Sequence, residues 1–199
     1  METGKKMKFI NQKYVSNKDK LNNQFKSAKP FPYLVLNDFF ITLDKVKKEL
    51  LKEKFTAYNS DLFQFSQTVD MQNTKNKTLK EFHGFFSSKV FIKFVSEITG
   101  KKLNSIDMSG FIYRDTDYLL PHDDRLEGRK IAYIINFSDL SAKDGGKLQL
   151  FKNKKVVKSI VPKFNSFVIF EVSKDSLHQV EEIKSNKNRI TLAGWFHAN

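Results

Sequence analysis

The sequence predicts a mainly β protein of the α+β class, with helices confined to its first half and a β-half that closes into a sandwich or jelly roll. Three observations lead there. Before Gly100, apolar residues recur at helical spacing in two stretches. After Gly100 the texture changes to short apolar runs broken by turn residues such as Asp144-Gly145-Gly146 and Pro162, with no helical period. Seven or eight short strands at such spacing suit a two-sheet β-architecture.

The first thirty residues are polar and end at Lys29-Pro30, which reads as an entry loop or arm. Residues 31–36 form a candidate strand. A helix is expected over 42–55, where Leu43, Val46 and Leu50 share a face between lysines. Residues 58–77 are polar and irregular and read as a functional or mobile loop. A second helical region is expected over 79–98, with Phe91, Phe94, Val95 and Ile98 on one stripe and Gly100 as its stop. Candidate strands follow at 105–113, 130–137, 147–151, 156–161, 166–172, 178–183 and 189–196. The 199 residues suffice for one sizeable core, so the expectation is a single domain over 1–199. In it, residues 1–100 supply an arm, a strand and supporting helices, and 101–199 a β-core that carries the chemistry.

Twenty Phe against one Trp and no Cys predict an aromatic core without disulfides, compatible with a reducing cytoplasm. Apolar runs such as 167–170 are far shorter than the roughly 18 residues of a membrane span. Residues 1–8 are polar and basic, unlike a signal peptide. A cytoplasmic protein that does not engage membranes is therefore expected. The net charge of +13 favours acidic partners such as RNA or ribosomes. Its lysines are scattered over most of the chain, however, and a solvated basic surface is the simpler reading.

Chemistry concentrates between His122 and Thr191. In an extended segment, residues i and i+2 face the same way, so His122 and Asp124 can present an imidazole and a carboxylate to one point while Asp123 points elsewhere. If a second strand brings His178 there, two imidazoles and a carboxylate occupy one face of a metal. That is the ligand set of non-haem Fe(II) oxygenases, which leaves positions open for O2 and a co-substrate. Arg189 and Thr191 share a face of an alternating run, and a guanidinium beside a hydroxyl grips a carboxylate such as the distal one of 2-oxoglutarate. His83 and His197 are expected to stay outside this site as structural or solvent-facing residues.

The runs from His122 to Ile135, Gly145 to Phe151, Pro162 to Val172, Leu177 to Ile183 and Arg189 to His197 resemble the catalytic domain of the 2-oxoglutarate- and Fe(II)-dependent prolyl hydroxylases that modify a small-subunit ribosomal protein at the decoding centre. The resemblance is close over the C-terminal half. It implies a double-stranded β-helix core, iron ligands His122, Asp124 and His178, and Arg189 on 2-oxoglutarate. Tyr113 matches a tyrosine that helps hold the co-substrate in that family. A second family tyrosine, fourteen residues after the first ligand, is Asn136 here, so contacts to co-substrate or substrate differ near that strand. Eukaryotic members carry a second, non-catalytic domain, and this chain ends at Asn199, which leads to the expectation of a bacterial or viral source. The implied activity is a dioxygenase using Fe(II), 2-oxoglutarate and O2, with ascorbate as support. Its implied substrate is a prolyl residue of a protein, with a ribosomal or translation-associated protein as first candidate. Two other readings stay open: the same chemistry on a free amino acid or another side chain, and a basic RNA- or ribosome-binding module with a vestigial site.

Overall fold

In the computed structural model, which describes residues 7 and 9–198, twelve strands form one continuous antiparallel sheet that curls on itself. In chain order they are β1 (Tyr33–Leu36), β2 (Thr56–Ser60), β3 (Phe63–Gln67), β4 (Ser105–Ile106), β5 (Ser109–Tyr113), β6 (Tyr118–His122), β7 (Arg129–Asn136), β8 (Leu148–Lys152), β9 (Lys155–Ile160), β10 (Phe167–Glu171), β11 (His178–Val180) and β12 (Arg189–His197). The pairing order is β1-β10-β7-β12-β5-β3-β6-β11-β8-β9, with β2 beside β3 and β4 beside β12. The first five strands of this order make one wall of a double-stranded β-helix and the last five make the facing wall. Most of the basic start, 1–8, lies outside the described residues.

Burial explains the two layers. In β10, Phe167 and Ile169 join the helix-side core, whereas Val168 and Phe170 face inward toward Leu148, Leu150 and Ile160. Both faces of this strand are buried, which is why it reads as an unbroken apolar run. The outer face is covered by helices α2 (Lys18–Ser27), α3 (Asp44–Leu50), α4 (Lys77–Phe86) and α5 (Lys89–Thr99), preceded by the short α1 (Gln12–Val15). Phenylalanines fill the interface. Phe167 stacks on Phe39 at 4.7 Å between ring centres, and Phe86 lies 4.4 Å from Phe91 and 5.1 Å from Tyr133.

Several expectations change. The first thirty residues are not all loop: α2 buries Leu21 and Phe25, two apolar residues one turn apart, too few to register as a periodic signal. The helix expected over 42–55 is confined to Asp44–Leu50, though Leu43, Val46 and Leu50 are buried as expected. The region 79–98 is two helices. Ser88 accepts a hydrogen bond from the Phe91 N–H and caps the second, which ends at Gly100 with φ +72°. Residues 58–77 are not irregular either: β2 and β3 form a hairpin, followed by a 3₁₀ turn at Met71–Asn73. Every residue of β2 is exposed, so no alternation marks it. The strand expected at 105–113 is interrupted between β4 and β5, and β6, which carries His122, is an additional strand. No helix among the described residues is long and apolar enough to cross a membrane.

Candidate active site

His122 closes β6 and lies opposite His178 of β11 in the pairing register, so the two imidazoles meet with ring centres 4.2 Å apart. Asp124 completes the group by a turn rather than by strand alternation. Its φ is +60°, a left-handed conformation that Asp tolerates better than bulkier residues, and it bends the chain back so that the carboxylate spans both rings. His122 Nε2 lies 3.4 Å from Asp124 Oδ1, and His178 Nε2 lies 3.4 Å from Oδ2. One ligand atom from each residue falls within 4.8 Å of the others. Asp123 turns away to an ion pair with Arg125 at 2.9 Å.

Both imidazoles are oriented by the backbone carbonyl two residues before them. His122 Nδ1 lies 2.8 Å from the Leu120 carbonyl and His178 Nδ1 lies 2.8 Å from the Ser176 carbonyl. A carbonyl only accepts, so each Nδ1 carries a hydrogen and each Nε2 is turned toward Asp124. His178 is 4 % exposed and meets the Phe170 ring edge-on at 4.6 Å. Burial pulls the His122 imidazole down, but hydrogen bonding and charge from Asp124 outweigh it and hold the group above its ordinary value. Burial likewise pushes the Asp124 carboxyl up, and the two histidines overcome this to leave it well below the usual carboxylate range.

The three residues open into a cavity of about 520 Å³ between the two walls of the sheet, which also contains Arg189, Thr191 and Tyr113. Arg189 begins β12 opposite Tyr113 of β5, with its guanidinium carbon 5.1 Å from the Tyr113 ring centre. It is 3 % exposed, and its Nε has no hydrogen-bond partner among the described residues. Burial lowers its pKa, while Tyr113 acts in the opposite sense. Burial also pushes the Tyr113 phenol up to about 12, so it stays a hydrogen-bond donor at any physiological pH. The loop beneath Arg189 approaches through glycine. Gly146 has φ +67°, and a Cβ there would stand 2.5 Å from Ile183 Cδ1 and 3.3 Å from Arg189 Cδ.

Asn136 lies opposite Thr191 in the β7–β12 pairing but is not among the cavity-lining residues. Its Nδ2 donates to Ser166 Oγ at 2.9 Å and its buried Oδ1 has no partner among the described residues. His83 and His197 stay outside the three-residue group, as expected. His83 is half-buried in α4, and His197 pairs with Asp107 at 2.9 Å. Sequence reasoning missed Arg129 and Trp195, which also line the cavity, with the guanidinium carbon 3.3 Å from the indole ring centre. Alternation along β12 already placed Trp195 on the Arg189–Thr191 face.

Residues 108–197 match the family described as the 2OG-Fe(II) oxygenase superfamily. Fold and site thus define the class: the chain carries a 2-oxoglutarate- and Fe(II)-dependent oxygenase domain. More particularly, it resembles the prolyl hydroxylases. It is 40 % identical over 181 residues to prolyl 3-hydroxylase OGFOD1 of Xenopus laevis, covering 84 % of this chain and 35 % of the relative. It is 36 % identical over 205 residues to prolyl 3,4-dihydroxylase OGFOD1 of Ostreococcus tauri, covering 88 % and 40 %. The chain therefore spans little more than a third of the length of these relatives. Its fold is that of a Pseudomonas putida prolyl-4-hydroxylase, with a TM-score of 0.74 at 14 % identity over 90 % of this chain and 99 % of that one. It is also that of a Trichoplax adhaerens prolyl hydroxylase solved with a hypoxia inducible factor peptide fragment, with a TM-score of 0.73 at 14 % identity over 94 % and 91 %.

The residues present fit the groups this class uses. Two imidazoles and one carboxylate are the donor set that Fe(II) takes while keeping positions open. A buried guanidinium with an orphaned Nε suits the distal carboxylate of 2-oxoglutarate, because a desolvated charge without a partner is otherwise costly.

Proposed function

We propose that this chain is the catalytic domain of an Fe(II)- and 2-oxoglutarate-dependent dioxygenase that hydroxylates a prolyl residue in a protein, with a ribosomal or translation-associated protein as first candidate. One observation carries the reading: the His122–Asp124–His178 group shares a single cavity with the buried Arg189, whose Nε has no hydrogen-bond partner among the described residues. In this reading the whole of 1–199 is one domain, its helices bracing the wall that carries Arg189, and it works in the cytoplasm. The prolyl specificity is supported by the similarity to prolyl 3-hydroxylase and prolyl 3,4-dihydroxylase relatives.

Iron and the keto acid, when bound, supply the activation of O2. His122, Asp124 and His178 would hold the metal through their imidazoles and carboxylate. Arg189 would grip the far carboxylate of the keto acid with a planar fork, with Thr191 supplying a hydroxyl and Tyr113 a phenol donor. Asn136, opposite Thr191 but off the cavity lining, would reach this end only through that strand, where the resembling family has a tyrosine. Phe63, Phe65 and Phe111 exclude water from the remaining walls, which keeps the reaction from being quenched by solvent. The test is mass spectrometry of ribosomal proteins and prolyl peptides after incubation with the chain, Fe(II), 2-oxoglutarate and ascorbate. A gain of one oxygen on proline supports the reading. Keto-acid turnover with oxygen on a free amino acid or another side chain overturns the substrate assignment.

A further inference from the structure

We propose that Asp107 is a positioning residue for the substrate side of the cavity, setting the main chain of Trp195 and thereby the Trp195–Arg129 wall. The inference rests on the reading that the cavity receives a prolyl residue of a polypeptide. Ala193 pairs with Ser109 and Phe196 with Ile106, so Asp107 lies opposite Trp195. In a regular antiparallel pair, two such residues exchange both of their N–H to carbonyl bonds. Here only one is ordinary: the Asp107 N–H donates to the Trp195 carbonyl at 3.2 Å. The Trp195 N–H donates instead to Asp107 Oδ1 at 2.9 Å, so the carboxylate replaces the residue's own carbonyl in the ladder.

The released carbonyl accepts from the Tyr133 hydroxyl of β7 at 2.8 Å, and Asp107 Oδ2 holds His197 Nε2 at 2.9 Å. Gly194 makes the exchange possible. A Cβ there would stand 2.2 Å from the Asp107 carbonyl oxygen and 2.5 Å from Oδ1. One residue thus ties β12, β7 and the β4–β5 link together where a side chain of β12 enters the cavity. Trp195 stacks under Arg129, and its indole N–H is buried without a partner among the described residues. Moving its backbone moves both the ring and the guanidinium that lies on it. That wall borders the same cavity as the metal-ligating group, whereas Asp107 itself is not a lining residue.

The chain has a single tryptophan, so its fluorescence reports this wall directly. Asp107→Ala should red-shift the emission and increase quenching by acrylamide. For the protein that gains oxygen in the experiment above, KM should rise about ten-fold with kcat within about two-fold, the pattern of lost ground-state placement. Asp107→Asn keeps an oxygen for the Trp195 N–H and should restore both readouts. Asp70→Ala removes the neighbouring bond from the Met108 N–H to Asp70 Oδ2, 3.1 Å long, and should cost stability without moving the emission. If Asp107→Ala does not fold, Asp107→Glu, which displaces the acceptor by one methylene, should give the same spectral shift. Wild-type emission in the folded Ala or Glu variant, an Asn variant as perturbed as Ala, or an equal shift in Asp70→Ala would overturn the proposal. A wild-type chain that hydroxylates no prolyl substrate overturns the functional reading alone, and the emission still judges Asp107.

Discussion

Arg189 is the residue whose replacement separates co-substrate binding from folding most cleanly. Its side chain is buried, its Nε is orphaned, and no carboxylate among the described residues forms an ion pair with it. A buried charge without a partner costs several kcal/mol, so Arg189→Met should leave the ligand-free fold at least as stable as the wild type. The same variant removes one partner of the charge pair formed with the keto acid. That loss is worth about 2–5 kcal/mol, or roughly 30- to 5,000-fold in affinity for 2-oxoglutarate. Arg189→Lys keeps the charge but not the fork and should fall between. The assay is titration calorimetry of 2-oxoglutarate into Mn(II)-loaded protein, alongside urea unfolding with and without ligand. At a keto-acid concentration of about 100 times the wild-type Kd, the wild type should gain about 2.7 kcal/mol and Arg189→Met less than about 1 kcal/mol. Unchanged affinity in both variants would place the anchor elsewhere. A ligand-free Met variant several kcal/mol less stable would make Arg189 a structural residue.

Three further outcomes follow from the same structure. His122→Ala, Asp124→Asn and His178→Ala should each abolish keto-acid turnover and weaken Mn(II) binding while the circular dichroism spectrum is unchanged, because the β-core rather than the metal stabilises the fold; a variant with full succinate production removes that residue from the ligand set. Phe167→Ala, at a fully buried position among Phe39, Phe86 and Phe91, should cost about 3–5 kcal/mol in urea unfolding, and a loss under 1 kcal/mol would contradict the packing. Attraction between the basic surface and a ribonucleoprotein target is screened over roughly 8–10 Å near physiological salt, so added salt should slow hydroxylation of such a target and leave uncoupled 2-oxoglutarate decarboxylation nearly constant. Equal salt sensitivity of the two would make the charge a general surface property.

The β-half was legible because its strands are apolar on the faces they bury and its turns are marked by Gly, Asp and Pro. The ordered set His122, Asp124, His178, Arg189 and Thr191 was legible because each residue type answers one demand of a metal and keto-acid site, and the structure brings all five to one cavity. What escaped has physical causes. The α2 helix buries only Leu21 and Phe25, and β2 buries nothing, so neither leaves a periodic trace. The His122–Asp124 pairing was expected from strand alternation but is made by a left-handed residue, which a pattern of side-chain types does not encode. Arg129 escaped because its contact with Trp195 joins β7 to the end of β12, a register that only the closed sheet fixes, whereas Trp195 itself stood on the legible face of β12.

The central claim is that the cavity couples oxidation of 2-oxoglutarate to hydroxylation of a prolyl residue in a protein. The most direct measurement incubates the chain with Fe(II), ascorbate, 2-oxoglutarate and ¹⁸O-labelled O2, then follows succinate and the mass of a small-subunit ribosomal protein from the decoding centre. The account predicts one labelled oxygen on a proline for each succinate formed in the coupled reaction, and neither product with His178→Ala. Succinate at wild-type rates from the His178→Ala chain, or label on the substrate anywhere but proline, would contradict it.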